Sequence, residues 1–200
     1  MMAPTHRDGE SDPFALLELP RRPMVDLDLL DKNFSRLAAT YHPDQQNGEA
    51  MMFQKIQEAT RLLRHPAKRL RLLAGEVTMD KKIPVAAQEL FSSIVMALQR
   101  ATEVTTKYHA SSGPLLKALM MKDLLKVHTQ LITAQKSLHQ WRSSLDQELQ
   151  EMNLQWPQVS NEELLSLSYA FLMEQRWNHQ LKEALFQINT IDNFSKNYEQ

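Results

Sequence analysis

The placement of the backbone breakers limits most strongly what this chain can fold into. Only four of its 200 residues are glycine and nine are proline. Gly9, Gly48, Gly75 and Gly113, with Pro13, Pro20, Pro23, Pro43, Pro66, Pro84, Pro114 and Pro157, fall between apolar-periodic stretches rather than inside them. Proline fixes φ and lacks an amide donor, so it tends to open or end a helix. The runs between breakers are rich in Leu, Ala, Gln, Glu, Lys and Met, all good helix formers. Few runs are β-branched or alternate with period two. The pattern predicts an all-α protein.

The runs differ in length. Residues 1–11 read as a disordered tail. Asp12-Pro13 suits the N-cap and first position of a short turn bearing Phe14, Leu16 and Leu17. Asp26 or Asp28 can cap a second helix, whose apolar stripe is Leu30, Phe34, Leu37, Ala38 and Tyr41. HPDQQNG interrupts it. A third helix carries Phe53, Ile56, Ala59 and Leu63, and Pro66 opens a short fourth that ends near Ala74-Gly75. The first compact region is therefore expected over 12–75, followed by a polar linker at 76–83.

Longer helices follow. One spans about Pro84 to Tyr108, with Leu90, Phe91, Ile94, Val95 and Leu98 inward. Another opens at Gly113-Pro114 and carries apolar residues from Leu116 to Leu145; run to Met152 it would be roughly 57 Å long, so a bend is expected. Ser160-Asn161-Glu162-Glu163 matches a capping box and opens the last, through Leu164, Leu167, Phe171, Leu181 and Leu185. An antiparallel three-helix bundle over 84–188 is the simplest arrangement, with a polar tail at 189–200.

Composition narrows the chemistry. The chain has no Cys, which removes disulfides, thiolate metal sites and thiol catalysis. Its formal net charge is -1, which gives no global attraction to nucleic acid or anionic membrane. No stretch approaches the roughly 18 apolar residues of a membrane span. The start, MMAPTHRDGESDP, is too acidic and polar for a targeting peptide, so a soluble cytoplasmic protein is expected. The seven His show no metal-ligand spacing, and Ser111-Ser112 beside His109 lacks an orienting acid. No Gly-rich phosphate loop occurs. Arg61, Arg64, Lys68, Arg69 and Arg71 form a basic run, but no aromatic is interleaved for stacking on bases. No catalytic residue, metal, cofactor, nucleic acid or membrane partner is expected.

One tripeptide stands apart. His42-Pro43-Asp44 follows Tyr41 at the end of the second helix. Pro43 disfavours helical geometry at His42 and stops the helix there, which presents His42 and Asp44 on a rigid corner. Around it, DPFALLEL, LLDKNFSRLAATYHPD, FQKIQEATRLL and RHPAKRLRLL together resemble the four elements of a J domain, the module that recruits and activates DnaK-type chaperones. The resemblance implies that His42, Pro43 and Asp44 contact the chaperone's ATPase domain, with Lys32 and Arg36 as basic residues on the same helix. It also implies an allosteric mechanism: docking favours the chaperone's hydrolysis-competent state, and ATP turns over in the partner. Asp44 would then pair with an Arg. Gln45 stands where many J domains carry Lys, so weaker electrostatic steering and a dedicated chaperone are expected.

General J-proteins continue into Gly/Phe-rich linkers and Cys-rich zinc fingers, which this composition excludes. A J domain followed by helices alone resembles the HscB-type co-chaperone of iron–sulfur cluster assembly. RHPAKRLRLLAG resembles that family's exit from the J domain, and YAFLMEQRWNHQLKEAL is similar to its final helix. The resemblance implies an HscA/DnaK-type chaperone ATPase as partner and the iron–sulfur scaffold protein as client. It places client contacts at Leu90, Phe91, Ile94 and Val95, with Phe171, Leu172 and Glu174 on the last helix. Two alternatives stay open: a co-chaperone for another client, and a helical adaptor in which the HPD loop is incidental.

Overall fold

The computed structural model describes residues 12–44, 48–75 and 85–191, with residues 85, 86 and 89 as backbone only. The expected tail at 1–11, the linker at 76–83 and residues 192–200 lie outside the described residues. Among the described residues the chain forms helices and no strand. They are α1 (Pro13–Leu16), α2 (Leu27–Tyr41), α3 (Ala50–Arg64), α4 (Pro66–Ala74), α5 (Val85–Ala110), α6 (Pro114–Gln155) and α7 (Asn161–Asn189).

Capping explains several of the boundaries. The Asp12 carboxylate accepts from the Phe14 amide at 3.2 Å, and Pro13 takes the position where a missing N–H costs nothing. Asp26, rather than Asp28, caps α2, accepting from the Asp28 and Leu29 amides at 3.0 and 3.2 Å. At the start of α7 the capping box closes both ways. The Ser160 amide donates to Glu163 at 2.8 Å, and the Glu163 amide donates to the Ser160 hydroxyl at 3.3 Å. α6 is one uninterrupted run of 42 residues.

The chain divides into two compact units, each described here by itself. In the first, α1, α2 and α4 each pack on α3. Phe14, Leu17, Leu30, Ile56, Leu63 and Leu70 are fully buried. Burying each such side chain stabilises by about 1.5–3 kcal/mol, which sets α3 as the axis of the unit. Buried Asn33 donates to the Leu17 carbonyl at 2.9 Å and to the Glu18 carbonyl at 3.5 Å. That amide holds the turn after α1, where Glu18 takes the left-handed φ of 54° that non-glycine residues rarely adopt.

This first unit comprises Met1–Met79 together with Glu148–Ser168, a stretch whose periodicity predicts a place in the bundle. Polar contacts of high sequence separation explain the grouping. Asn153 Oδ1 accepts from Arg22 Nε and from the Met24 amide, both at 3.1 Å. Ser168 Oγ, buried, donates to the Ala67 carbonyl at 2.7 Å. A buried neutral hydrogen bond contributes about 1 kcal/mol net. Ser168→Ala is therefore expected to lower unfolding stability by about 1 kcal/mol, read as a lower urea midpoint at unchanged slope. An unchanged midpoint would remove this bond from the account.

The second unit holds Asp80–Gln147 and Tyr169–Gln200. α5, α6 and α7 contribute to one core there, including Ile94, Val104, Leu124, Leu131, Leu138, Leu181 and Ile188. The short connection between Ala110 and Pro114 makes α5 and α6 antiparallel neighbours. Ile191, within the stretch 189–200 that reads as a polar tail, is 4% exposed and belongs to this core.

Candidate functional site

The HPD corner is built by α2 and α3 together. α2 ends at Tyr41, and His42 takes an extended conformation (φ -58°, ψ 133°), as a residue before proline prefers. His42 Nδ1 accepts from the Asp44 amide at 3.3 Å and lies 3.4 Å from Asp44 Oδ2. The ring meets Phe53 of α3 edge-on, with centroids 5.2 Å apart and planes at 72°. The Glu49 amide returns to the Tyr41 carbonyl at 3.3 Å and closes the loop. The Asp44 side chain is 86% exposed. The corner thus offers a solvated carboxylate beside a fixed imidazole: a group that can receive a cation and one that can form a directed hydrogen bond.

The other predicted contacts of this face are on α2. Lys32 is exposed and has no ion-pair partner among the described residues. Arg36 is exposed but paired, its guanidinium donating to Glu18 at 2.6 Å. Such a surface pair is worth about 0–1 kcal/mol, so a stronger acidic partner can displace Glu18. Asp31, next to Lys32, is taken by Arg64 of α3.

The basic run does not form one cationic surface. Arg61 pairs with Glu58 at 2.5 Å and Arg64 with Asp31. Arg69 is 4% exposed, donating to the Pro23 carbonyl through Nε at 2.6 Å and to the Leu63 carbonyl through Nη1. Burial pushes its guanidinium down to about 10, which still leaves it charged at neutral pH. His65, beside this run, is pushed below the usual imidazole range by burial and by Lys68, Arg61 and Arg64.

In the second unit the seven predicted contacts separate by exposure. Ile94 is fully buried and Phe171 is 3% exposed; Leu90 and Val95 are half-buried. Phe91 and Leu172 reach the surface, at 38% and 41% exposure. Phe91 also leans on Trp177, whose ring stacks in turn near Trp141, with centroids 5.7 and 5.5 Å apart. Glu174 is 5% exposed and meets Arg142 at 3.2 Å. Arg142 also pairs with Asp146 at 3.1 Å and lies over the Phe171 ring. Burial alone would lower Arg142, but the hydrogen bonds and charges of Asp146 and Glu174 outweigh it and raise its pKa. The structure therefore gathers Phe171 and Glu174 at Arg142. Among the described residues, no ring contact or hydrogen bond joins the predicted α5 residues to the predicted α7 residues.

Three residues of this face carry no distinguishing sequence signal: Phe53 and Gly48 at the corner, and Glu18 against Arg36. Phe53 reads as an ordinary core position, Glu18 as one acid among many, and Gly48 as one breaker in HPDQQNG. Among the described residues no helix is long and apolar enough to cross a membrane, and no group of three or more His, Asp or Glu could hold a metal ion.

Residues 12–72, which span α1 to the last turn of α4 and include the corner, match the DnaJ domain. No protein of curated function matches the chain.

Proposed function

We infer, for a chain that carries a DnaJ domain and is thereby a DnaJ-type co-chaperone stimulating an Hsp70 ATPase, a dedicated HscA/DnaK-type chaperone as partner and the iron–sulfur cluster scaffold protein as client. This is an HscB-type reading. The observation that carries it is the architecture: a DnaJ domain followed by the long helices α5, α6 and α7, in a chain with no Cys and four Gly. Nothing in that composition allows the zinc-finger and Gly-rich client modules of general J-proteins. In this reading ATP turns over in the partner and this cytoplasmic chain performs no catalysis. Asp44 supplies the charge for a partner Arg, and His42 the directed hydrogen bond. Client contact falls to Phe91 and Leu172, which are exposed, with Leu90 and Val95 at their margins. Ile94, Phe171 and Glu174 are buried, Glu174 in its pair with Arg142.

Calorimetric titration of the full chain into the scaffold protein tests the client. Binding in the tens of micromolar is expected, about −6 kcal/mol, weakened at least tenfold by Phe91→Ala with Leu172→Ala. No heat at a few hundred micromolar would rule out the scaffold and leave a co-chaperone for another client.

A further inference from the structure

We propose that Gly48 is a positioning residue for the docking corner: the absence of a Cβ there lets the chain return closely enough to hold His42 and Pro43 in place. The carrying observation is an approach of backbone to backbone. A Cβ at Gly48 would overlap the His42 carbonyl oxygen, and would stand 2.8 Å from the His42 carbonyl carbon and 3.0 Å from Pro43 Cα. Carbon–carbon contact is optimal at about 3.5–4.0 Å, so the carbonyl carbon alone would have to withdraw by roughly 0.7 Å. None of these atoms can swing aside as the tip of a long side chain would. All belong to the main chain at His42-Pro43, where the proline ring already fixes one dihedral.

The demand on Gly48 is space rather than backbone freedom. The described glycine with positive φ is Gly75, at the end of α4. Two neighbouring contacts show what the close approach serves. The Glu49 amide, one residue on, donates to the Tyr41 carbonyl at 3.3 Å. The His42 ring rests edge-on against Phe53, one turn into α3. Tyr41–Glu49, His42–Gly48 and His42–Phe53 therefore tie the end of α2 to the start of α3 at three points. A methyl group at the middle point pushes the His42-Pro43 peptide away from α3. The imidazole then loses Phe53, and the Asp44 amide loses the nitrogen it donates to. Gly48 itself lies between helices, outside the buried core of α1–α4, so the fold can survive the change.

The functional part of this inference rests on the co-chaperone reading, whereas the positional part stands on its own. Full-length Gly48→Ala is compared with the wild type and with Gly113→Ala, where a Cβ would meet nothing within 4 Å. Two quantities are read: the NMR resonances of the His42 ring, and the concentration giving half-maximal stimulation of a DnaK-type ATPase. For Gly48→Ala, the ring resonances are expected to shift and the half-saturating concentration to rise about tenfold, while the rate at saturation holds. Gly113→Ala should match the wild type in both. Unchanged resonances, or shifted resonances with unchanged half-saturation, overturn the positioning role. If the wild type itself fails to stimulate, the co-chaperone reading falls and the resonances alone decide on Gly48. If Gly48→Ala loses helical circular dichroism, amide exchange in the wild type decides. Slow exchange at Glu49 supports the closed loop, and exchange at the free-peptide rate overturns it.

Discussion

Replacing His42 with Gln abolishes stimulation of the chaperone ATPase and leaves the helical circular dichroism unchanged. The two halves of this expected result have separate causes. His42 is partly exposed, and its side chain meets, among the described residues, the Phe53 ring edge-on, the Asp44 amide through a hydrogen bond and Asp44 Oδ2 at 3.4 Å. Losing these costs the fold little; substitutions at such surface positions stay within roughly 0.5 kcal/mol. The docked complex loses more. The glutamine amide lacks the ring that meets Phe53, so its carbonyl oxygen, though an acceptor, is not held where Nδ1 meets the Asp44 amide. A directed group and its neighbouring carboxylate are then both misplaced at the interface. Removing one partner of a buried, hydrogen-bonded charge pair costs about 2–5 kcal/mol, or roughly 30-fold to several-thousand-fold in affinity. Asp44→Asn, which removes the charge and keeps the shape, is expected to fall in the same range. Steady-state ATPase titration checks both. Stimulation by His42→Gln at the wild-type level would detach the corner from the function.

The second large effect is on stability. Arg69→Ala should destabilise the first unit by about 3 kcal/mol, seen as a lower urea midpoint and a melting temperature reduced by roughly 12–24 °C. Arg69 is buried and its hydrogen-bond acceptors are the carbonyls of Pro23 and Leu63. Alanine strips both carbonyls of their donor, at about 1–3 kcal/mol each, and leaves a void where the side-chain stem had packed. Release from burying the charge offsets part of this, which keeps the expected figure near the middle of the range. Arg69→Met separates the contributions. It fills the void without supplying donors, so it should fall between alanine and the wild type. A midpoint within about 0.5 kcal/mol of wild type for Arg69→Ala would mean that water satisfies those carbonyls.

The part of the architecture set by local chemistry was legible in the sequence. Asp12, Asp26 and Ser160–Glu163 act as caps because a short polar side chain before an apolar-periodic run has few other uses. The all-α class followed from the same logic of breakers and formers, and the HPD corner from what Pro43 does to its neighbour. What escaped depends on partners distant in sequence. Arg69 looks like its exposed basic neighbours until α4 turns it toward the Pro23 carbonyl, 46 residues away. Glu174 looks like a surface acid until Arg142, 32 residues earlier, meets it in a partly buried pair. Stretch 148–168 has bundle periodicity, yet Asn153 and Ser168 bond to residues more than 100 positions away. Periodicity reports which face of a helix is apolar, not which neighbour that face will find.

The discontinuity of the first unit also orders events during synthesis. A ribosome emits residues in sequence, so α1–α4 emerge while Asn153 and Ser168 are still unmade. About 90 further residues separate the end of the unit's first stretch from the end of its second. At roughly 5–20 residues per second, that is a delay of roughly 5–20 s. During it the Arg22 guanidinium, the Met24 amide and the Ala67 carbonyl have only water as partner in place of Asn153 and Ser168. The newborn corner thus exists for some seconds on a unit that lacks its last segment, and the unit is completed only after all of α6 and the first turns of α7 have been made.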